Sequence, residues 1–246
     1  MAKPKTIHIG TSGWNYDHWQ GPFYPDDLTQ DKWLDYYCQH FNCVEINNSF
    51  YQLPDKKTLQ NWQETVPDGF RFSMKASRYT THMKKLKDPQ ASTEKFFDRA
   101  RELKSLPVIL FQLPPRWNRN VERLKSFIQA LPDTFVYTFE FRDQSWWHDE
   151  VYKLLEKNNI SFCLYELAGE STPEILTSDL VYVRLHGPND AYQGDYHKNT
   201  LKKWRNRFLE WQEDDKEIYC FFDNDDSGFA AKNALELKEL IETEDS

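Results

Sequence analysis

Eight stretches of strand-forming residues succeed one another along the chain, at 6–10, 43–47, 70–76, 108–113, 135–142, 160–166, 180–186 and 217–224. Most of the intervals between them carry apolar residues at helical spacing, as in Trp33, Tyr36, Tyr37 and Phe41, or Leu124, Phe127, Ile128 and Leu131. Strands joined through helices run parallel, and parallel strands bury both faces. Eight such units in 246 residues predict an α/β fold, a (β/α)8 TIM-type barrel, with 1–246 as a single domain. Asp55, Ser92 with Glu94, and Ser227 are the expected openings of the second, third and last helices. The sixth unit, around 171–177, has the weakest helical pattern.

Composition narrows the chemistry. With only 8 glycines there is no G-x-G-x-x-G and no P-loop, so no dinucleotide or nucleoside-triphosphate cradle and no cofactor is expected. Cys38, Cys43, Cys163 and Cys220 form no C-x-x-C pair and read as reduced core thiols. The first ten residues lack a signal-peptide apolar region and no run is long enough to span a bilayer, so a cytoplasmic location away from membranes is expected. Thirty-one Lys and Arg against 39 Asp and Glu give a net charge of −8, which repels a polyanion at long range.

Strand alternation points to a site. In Val44-Glu45-Ile46-Asn47 the apolar pair can pack on helices while Glu45 and Asn47 point inward. The same alternation turns Thr138, Glu140 and Arg142 inward, then Arg184 and His186, and places Lys75 and Gln112 at strand ends. Long loops at 11–27, 77–90 and 187–199 add aromatic residues. Lys75, Arg142 and Arg184 outnumber Glu45 and Glu140, so an anionic small molecule is the expected partner. Lys75, Arg142 and Arg184 would hold its charge, and Asn47, Gln112, Asn224 and His82 would orient it. Trp14, Tyr51 and Trp146 would wall it in, while Glu45, Glu140 and His186 would move protons. Hydrolase, lyase and isomerase chemistry all remain open. The competing structural reading is an internal ion-pair network of Glu45 and Glu140 with Arg142 and Arg184 that binds nothing.

No metal is expected, because the histidines never recur at ligand spacing and Lys75 and the arginines would repel a cation. The loop 77–90, with Arg78, His82, Lys84, Lys85 and Lys87 beside Tyr79, offers cations and a stacking ring, so a protein that binds nucleic acid or acts on its phosphodiesters stands as a less favoured alternative. A non-catalytic ligand-binding barrel is the other. The oligomeric state is not legible.

The chain also resembles the YecE-like family, domain of unknown function 72. The likeness runs nearly end to end, through Gly10-Thr11-Ser12-Gly13-Trp14, Val44-Glu45-Ile46-Asn47, Phe111-Gln112-Leu113-Pro114-Pro115, Glu140-Phe141-Arg142 with Ser145-Trp146, Tyr182-Val183-Arg184-Leu185-His186-Gly187, and Phe222-Asp223-Asn224. The resemblance implies a TIM-type barrel similar to endonuclease-IV-like and sugar-isomerase-like barrels, without a reaction to carry over. The chain departs from the family pattern at Asp223 and Glu166, both of which add acid.

Overall fold

The computed structural model describes residues 6–104 and 108–243. The first strands in chain order are β1 (Ile7–Thr11), β2 (Cys43–Ile46), β3 (Arg71–Lys75), β4 (Val108–Leu113) and β5 (Val136–Phe141). They are followed by β6 (Ser161–Phe162), β7 (Leu164–Leu167), β8 (Glu170–Ser171), β9 (Leu180–Leu185) and β10 (Glu217–Phe222). The helices are α1 (Trp33–His40), α2 (Lys56–Thr65), α3 (Pro89–Ala100), α4 (Val121–Ile128), α5 (Asp149–Lys157), α6 (Lys198–Glu213) and α7 (Phe229–Glu242).

The chain groups into two compact units, residues 6–45, 164–174 and 179–243 in the first, and residues 46–163 and 175–178 in the second. In the first unit β1, β10, β9 and β7 lie side by side and parallel, and β8 returns antiparallel on β7. Its interior is aromatic. Tyr24 stacks on Trp33 at 4.9 Å between ring centroids, and fully buried Trp19 lies among Phe23, Tyr24 and Tyr37. Large rings fill volume with few rotamers, which suits a chain poor in glycine.

The second unit carries β3, β4, β5 and β6 as consecutive parallel neighbours. Phe111 on β4 stacks against Phe139 on β5 at 5.1 Å, and Phe141 against Trp146 at 5.0 Å. Helix α2 begins as expected, Asp55 accepting from the Thr58 amide at 2.7 Å. Helix α3 does not open at Ser92. Pro89 occupies its first turn, with its fixed φ and missing N–H, and Ser92 lies buried inside the helix.

The expected strand at 160–166 is interrupted at Cys163, whose amide donates to the Phe139 carbonyl at 2.9 Å. The chain then turns back as the β7–β8 hairpin, and no helix forms between β8 and β9, where the pattern is weakest. No helix among the described residues is long and apolar enough to cross a membrane.

Candidate active site

Register gathers polar side chains at one end of the first unit's sheet. Thr11 pairs with Phe222 and Phe222 with Leu185, so the next residues, Ser12, Asp223 and His186, leave the sheet together. The ladder continues one step further. The Ser12 amide donates to Phe222 O at 2.9 Å and the Asp223 amide to Leu185 O at 2.8 Å. The carboxyl ends of parallel strands are where α/β proteins place their ligands.

Arg184 is the hub of this group and is wholly buried. Its Nη2 donates to Glu45 Oε1 at 2.7 Å and to Asp223 Oδ2 at 3.2 Å, and its Nε to the same Glu45 oxygen at 3.2 Å. Glu45, equally buried, also accepts from the Ser12 hydroxyl at 2.7 Å and from the Tyr182 hydroxyl at 2.6 Å. Arg184 Nη1 lies 3.2 Å from His186 Nε2. A guanidinium only donates, so that ring nitrogen accepts, and Nδ1 donates to Asp223 Oδ2 at 2.9 Å. The imidazole is thus held by bonds at both nitrogens, and Asp223 is the member that reaches the surface, with 16% of its side chain exposed.

Asp225 stands beside this group. The Trp19 indole donates to it at 2.6 Å, and His18 Nε2 lies 3.1 Å from its other oxygen. Burial pushes its carboxyl up to about 6, and the charge of Asp223 adds to the rise against the pull of the Trp19 and His18 bonds. Tyr16 covers the same end, its hydroxyl donating to the Ser12 carbonyl at 2.6 Å. Burial first, and then the charges of Asp223, Asp225 and Glu45, raise its phenol far above the ordinary range. Gly13, at φ +115°, leaves room for the Tyr16 ring where a β-carbon would collide with it.

The other expected site residues of this unit act differently. Asn224 is buried and donates to Gly194 O at 2.8 Å and to Asn233 Oδ1 at 2.9 Å, tying a loop to α7. Trp14 is nearly buried, and its carbonyl accepts from the Tyr24 hydroxyl at 2.6 Å.

In the second unit, buried Glu140 is ion-paired with Arg142, and the Cys163 thiol lies 3.9 Å from its other oxygen. Lys75 Nζ sits 4.6 Å over the Phe50 ring, and His82 meets that ring edge-on at 4.9 Å. Burial, with Lys75 and Arg78 adding to it, pulls the His82 imidazole down to about 4. Gln112 is almost fully buried on β4, and Asn47 follows β2 into a short turn at Asn48–Phe50. Trp146 packs in the core and donates its indole N–H to the Trp117 carbonyl at 2.6 Å. Tyr51 is 83% exposed.

The geometry therefore brings Glu45, Arg184 and His186 together and adds Ser12, Tyr182 and Asp223. Tyr182 was reachable from strand alternation, two residues before Arg184 on the same face of β9. Asp225 was not, because the residues that bind it lie more than 200 positions away. The last helix does not open at Ser227 as expected: α7 begins after Gly228, at φ 76°, with no side-chain cap. Among the described residues no group of three or more His, Cys, Asp or Glu side chains is disposed to hold a metal ion. In the first unit the Arg184 guanidinium itself bridges the two carboxylates.

Comparison with known proteins agrees with this architecture. The chain is 28% identical to UPF0759 protein YunF of Bacillus subtilis over 97% of its own length and 95% of that protein's. It is 30% identical to UPF0759 protein YecE of Escherichia coli over 55% of its length and 48% of that protein's. Among solved structures, a DUF72 family protein of Thermotoga maritima superposes with a TM-score of 0.87 at 30% identity, covering 96% of this chain and 99% of that one. D-psicose 3-epimerase, determined in the presence of D-fructose, superposes at 0.57 with 11% identity, covering 96% of this chain and 97% of that one, a likeness of fold alone and of the TIM-barrel-like kind. The profile of the family described as "Protein of unknown function DUF72" matches residues 8–246, and the chain belongs to that family.

Proposed function

We propose that the first unit carries an acid–base active site for a small hydroxylated molecule, with Asp223 as proton acceptor and Asp225 as proton donor. The observation that carries this reading is the double anchoring of Asp223 Oδ2 by Arg184 and His186, beside a second carboxyl whose pKa is pushed to about 6. Two neighbouring carboxyls in unlike surroundings divide acid and base roles between them near neutral pH. Glu45, Arg184 and His186 then act as positioning residues, because each is fully buried and points its polar atoms at another member of the group. Proton transfer by Glu45 or His186 themselves is less favoured on the same ground.

The anionic partner expected from sequence depends on cations. In the first unit Arg184 is matched by Glu45 and Asp223, two carboxylates to one guanidinium. Arg78 and Lys95, in the second unit, have no such match among the described residues.

The test is solvent deuterium incorporation, followed by NMR in D2O, across a panel of aldoses, ketoses and hydroxy acids. The expected result is exchange into at least one of them, lost in Asp223→Asn, with a limb near pH 6 that disappears in Asp225→Asn. Exchange that survives in Asp223→Asn, or a limb that persists in Asp225→Asn, contradicts the assignment.

A further inference from the structure

The second unit holds a cleft of about 460 Å³ that the acid–base group does not use. One wall is the turn after β2, with Phe50 and Tyr51. A second is the segment after β3, with Arg78, Tyr79 and Met83, and the floor is α3, with Lys95. Its size lies within the range of small-molecule sites, about 300–1,000 Å³.

Three features set this cleft apart from ordinary surface. Tyr51, Tyr79 and Met83 are 83%, 47% and 67% exposed, three of the five large hydrophobic side chains that lie open to solvent among the described residues. No acidic side chain lines the cleft, and neither Arg78 nor Lys95 has a carboxylate within ion-pair distance among the described residues. The charge is local. Residues 77–96 contain Arg78, Lys84, Lys85, Lys87 and Lys95 against Asp88 and Glu94, a balance of +3 in a chain of −8. Lys56, by contrast, is matched by Asp98 and Glu102.

The backbone of this wall is also unusual. Tyr79–Met83 forms one π-helical turn, closed by the Lys84 amide on Tyr79 O at 2.8 Å. Lys85, Leu86 and Asp88 follow at φ between 48° and 61°, a conformation that non-glycine residues adopt at a cost. Isolated π turns and such strain concentrate at ligand-binding positions. The fold holds Tyr79 and Met83 outward here instead of letting them collapse into the core.

Exposed rings supply a stacking face, and an unmatched guanidinium is the group that grips a phosphate with two parallel bonds. We propose that this cleft binds a phosphate ester bearing a flat ring, of the size of a nucleoside monophosphate, with the ring against Tyr79 and Tyr51 and the phosphate on Arg78 and Lys95. A long polyanion fits less well. Lys84 is already paired with Asp88 at 3.0 Å, and the chain as a whole repels polyphosphates. This site is independent of the acid–base reading of the first unit.

Titration calorimetry with adenosine 5′-monophosphate as the probe tests the proposal on the full chain. Binding is expected, weakened about tenfold or more in Arg78→Met and in Lys95→Met, and likewise in Tyr79→Ala. Adenosine and inorganic phosphate, each lacking half of the recognised chemistry, should bind at least about tenfold more weakly than the nucleotide. Asp223→Asn should leave nucleotide affinity unchanged, which separates this site from the acid–base site. The substitutions of Arg78, Tyr79 and Lys95 fall at exposed positions and leave the fold intact, and circular dichroism checks the fold of all four variants, Asp223→Asn included. Absence of binding, or nucleotide affinity that ignores Arg78 and Lys95, overturns the proposal. Tighter binding of a decathymidylate than of the mononucleotide overturns it in favour of single-stranded nucleic acid.

Discussion

Arg184 and Arg78 are the same residue type in opposite circumstances. Arg184 is sealed from solvent and bonded to Glu45, Asp223 and His186. Arg78 stands exposed on a cleft without acid. A buried guanidinium must be matched by carboxylates, because desolvating it alone costs several kcal/mol. It therefore organises its neighbours and has little left for a guest. An exposed, unmatched one does nothing for stability and keeps its full capacity for an anion. Counting basic residues at strand ends treats the two alike; burial and pairing separate them.

The comparison breaks most visibly in stability. Arg184→Met leaves Glu45 and Asp223 without their charge partner and should cost about 3–5 kcal/mol in urea unfolding. A loss below about 1 kcal/mol would mean that the ion pair is not the structural centre of the first unit.

The pH dependence of stability comes next. Asp225 titrates near 6 in the folded chain and near 3.9, roughly, when unfolded. The folded state therefore holds the extra proton between those values. Its contribution is fully present below about pH 4 and declines as pH rises to about 6, by up to about 3 kcal/mol. His82 acts in the opposite sense. Its imidazole is pulled down to about 4 from roughly 6.5, so stability falls as pH drops through that window. Asp225→Asn should remove the first slope and His82→Gln the second, as read from urea midpoints between pH 4 and 7. An unchanged midpoint profile in both variants would contradict the two shifts.

Smaller effects sharpen the same contrast. Tyr182→Phe deletes one buried donor to Glu45 and should cost about 1–3 kcal/mol. Arg78→Met should change stability by less than about 0.5 kcal/mol. A larger loss there would show that the cleft is held by its arginine and not kept open for a ligand.

Strand positions and side-chain direction were legible because period-two alternation is imposed by the pleat itself. Arg184 and His186, two residues apart along and just past β9, meet each other, and Arg184 meets Glu45; burial alone does not tell the two faces apart, since every residue of β2 and β9 is buried. Whether a buried charge is matched is a different question, settled by residues far away in sequence. Asp223 follows β10 directly, where parity is ambiguous, and it turned the balance around Arg184 from surplus to deficit. Trp146 resembled a site wall in sequence, yet its ring packs on Phe141 and its N–H is taken by a backbone carbonyl. Tyr51 kept its exposure because the turn after β2 directs it away from the core. The break at Cys163 had no signal, since Ile160–Glu166 is uniformly strand-like.

The acid–base assignment stands on the Asp225 carboxyl, and carbon-13 NMR of aspartate carboxyls observes it directly. Its resonance should titrate near pH 6 in the native chain and at lower pH in Asp223→Asn, where the neighbouring charge is gone. Titration near pH 4 in both proteins would contradict the division of proton work between these two residues.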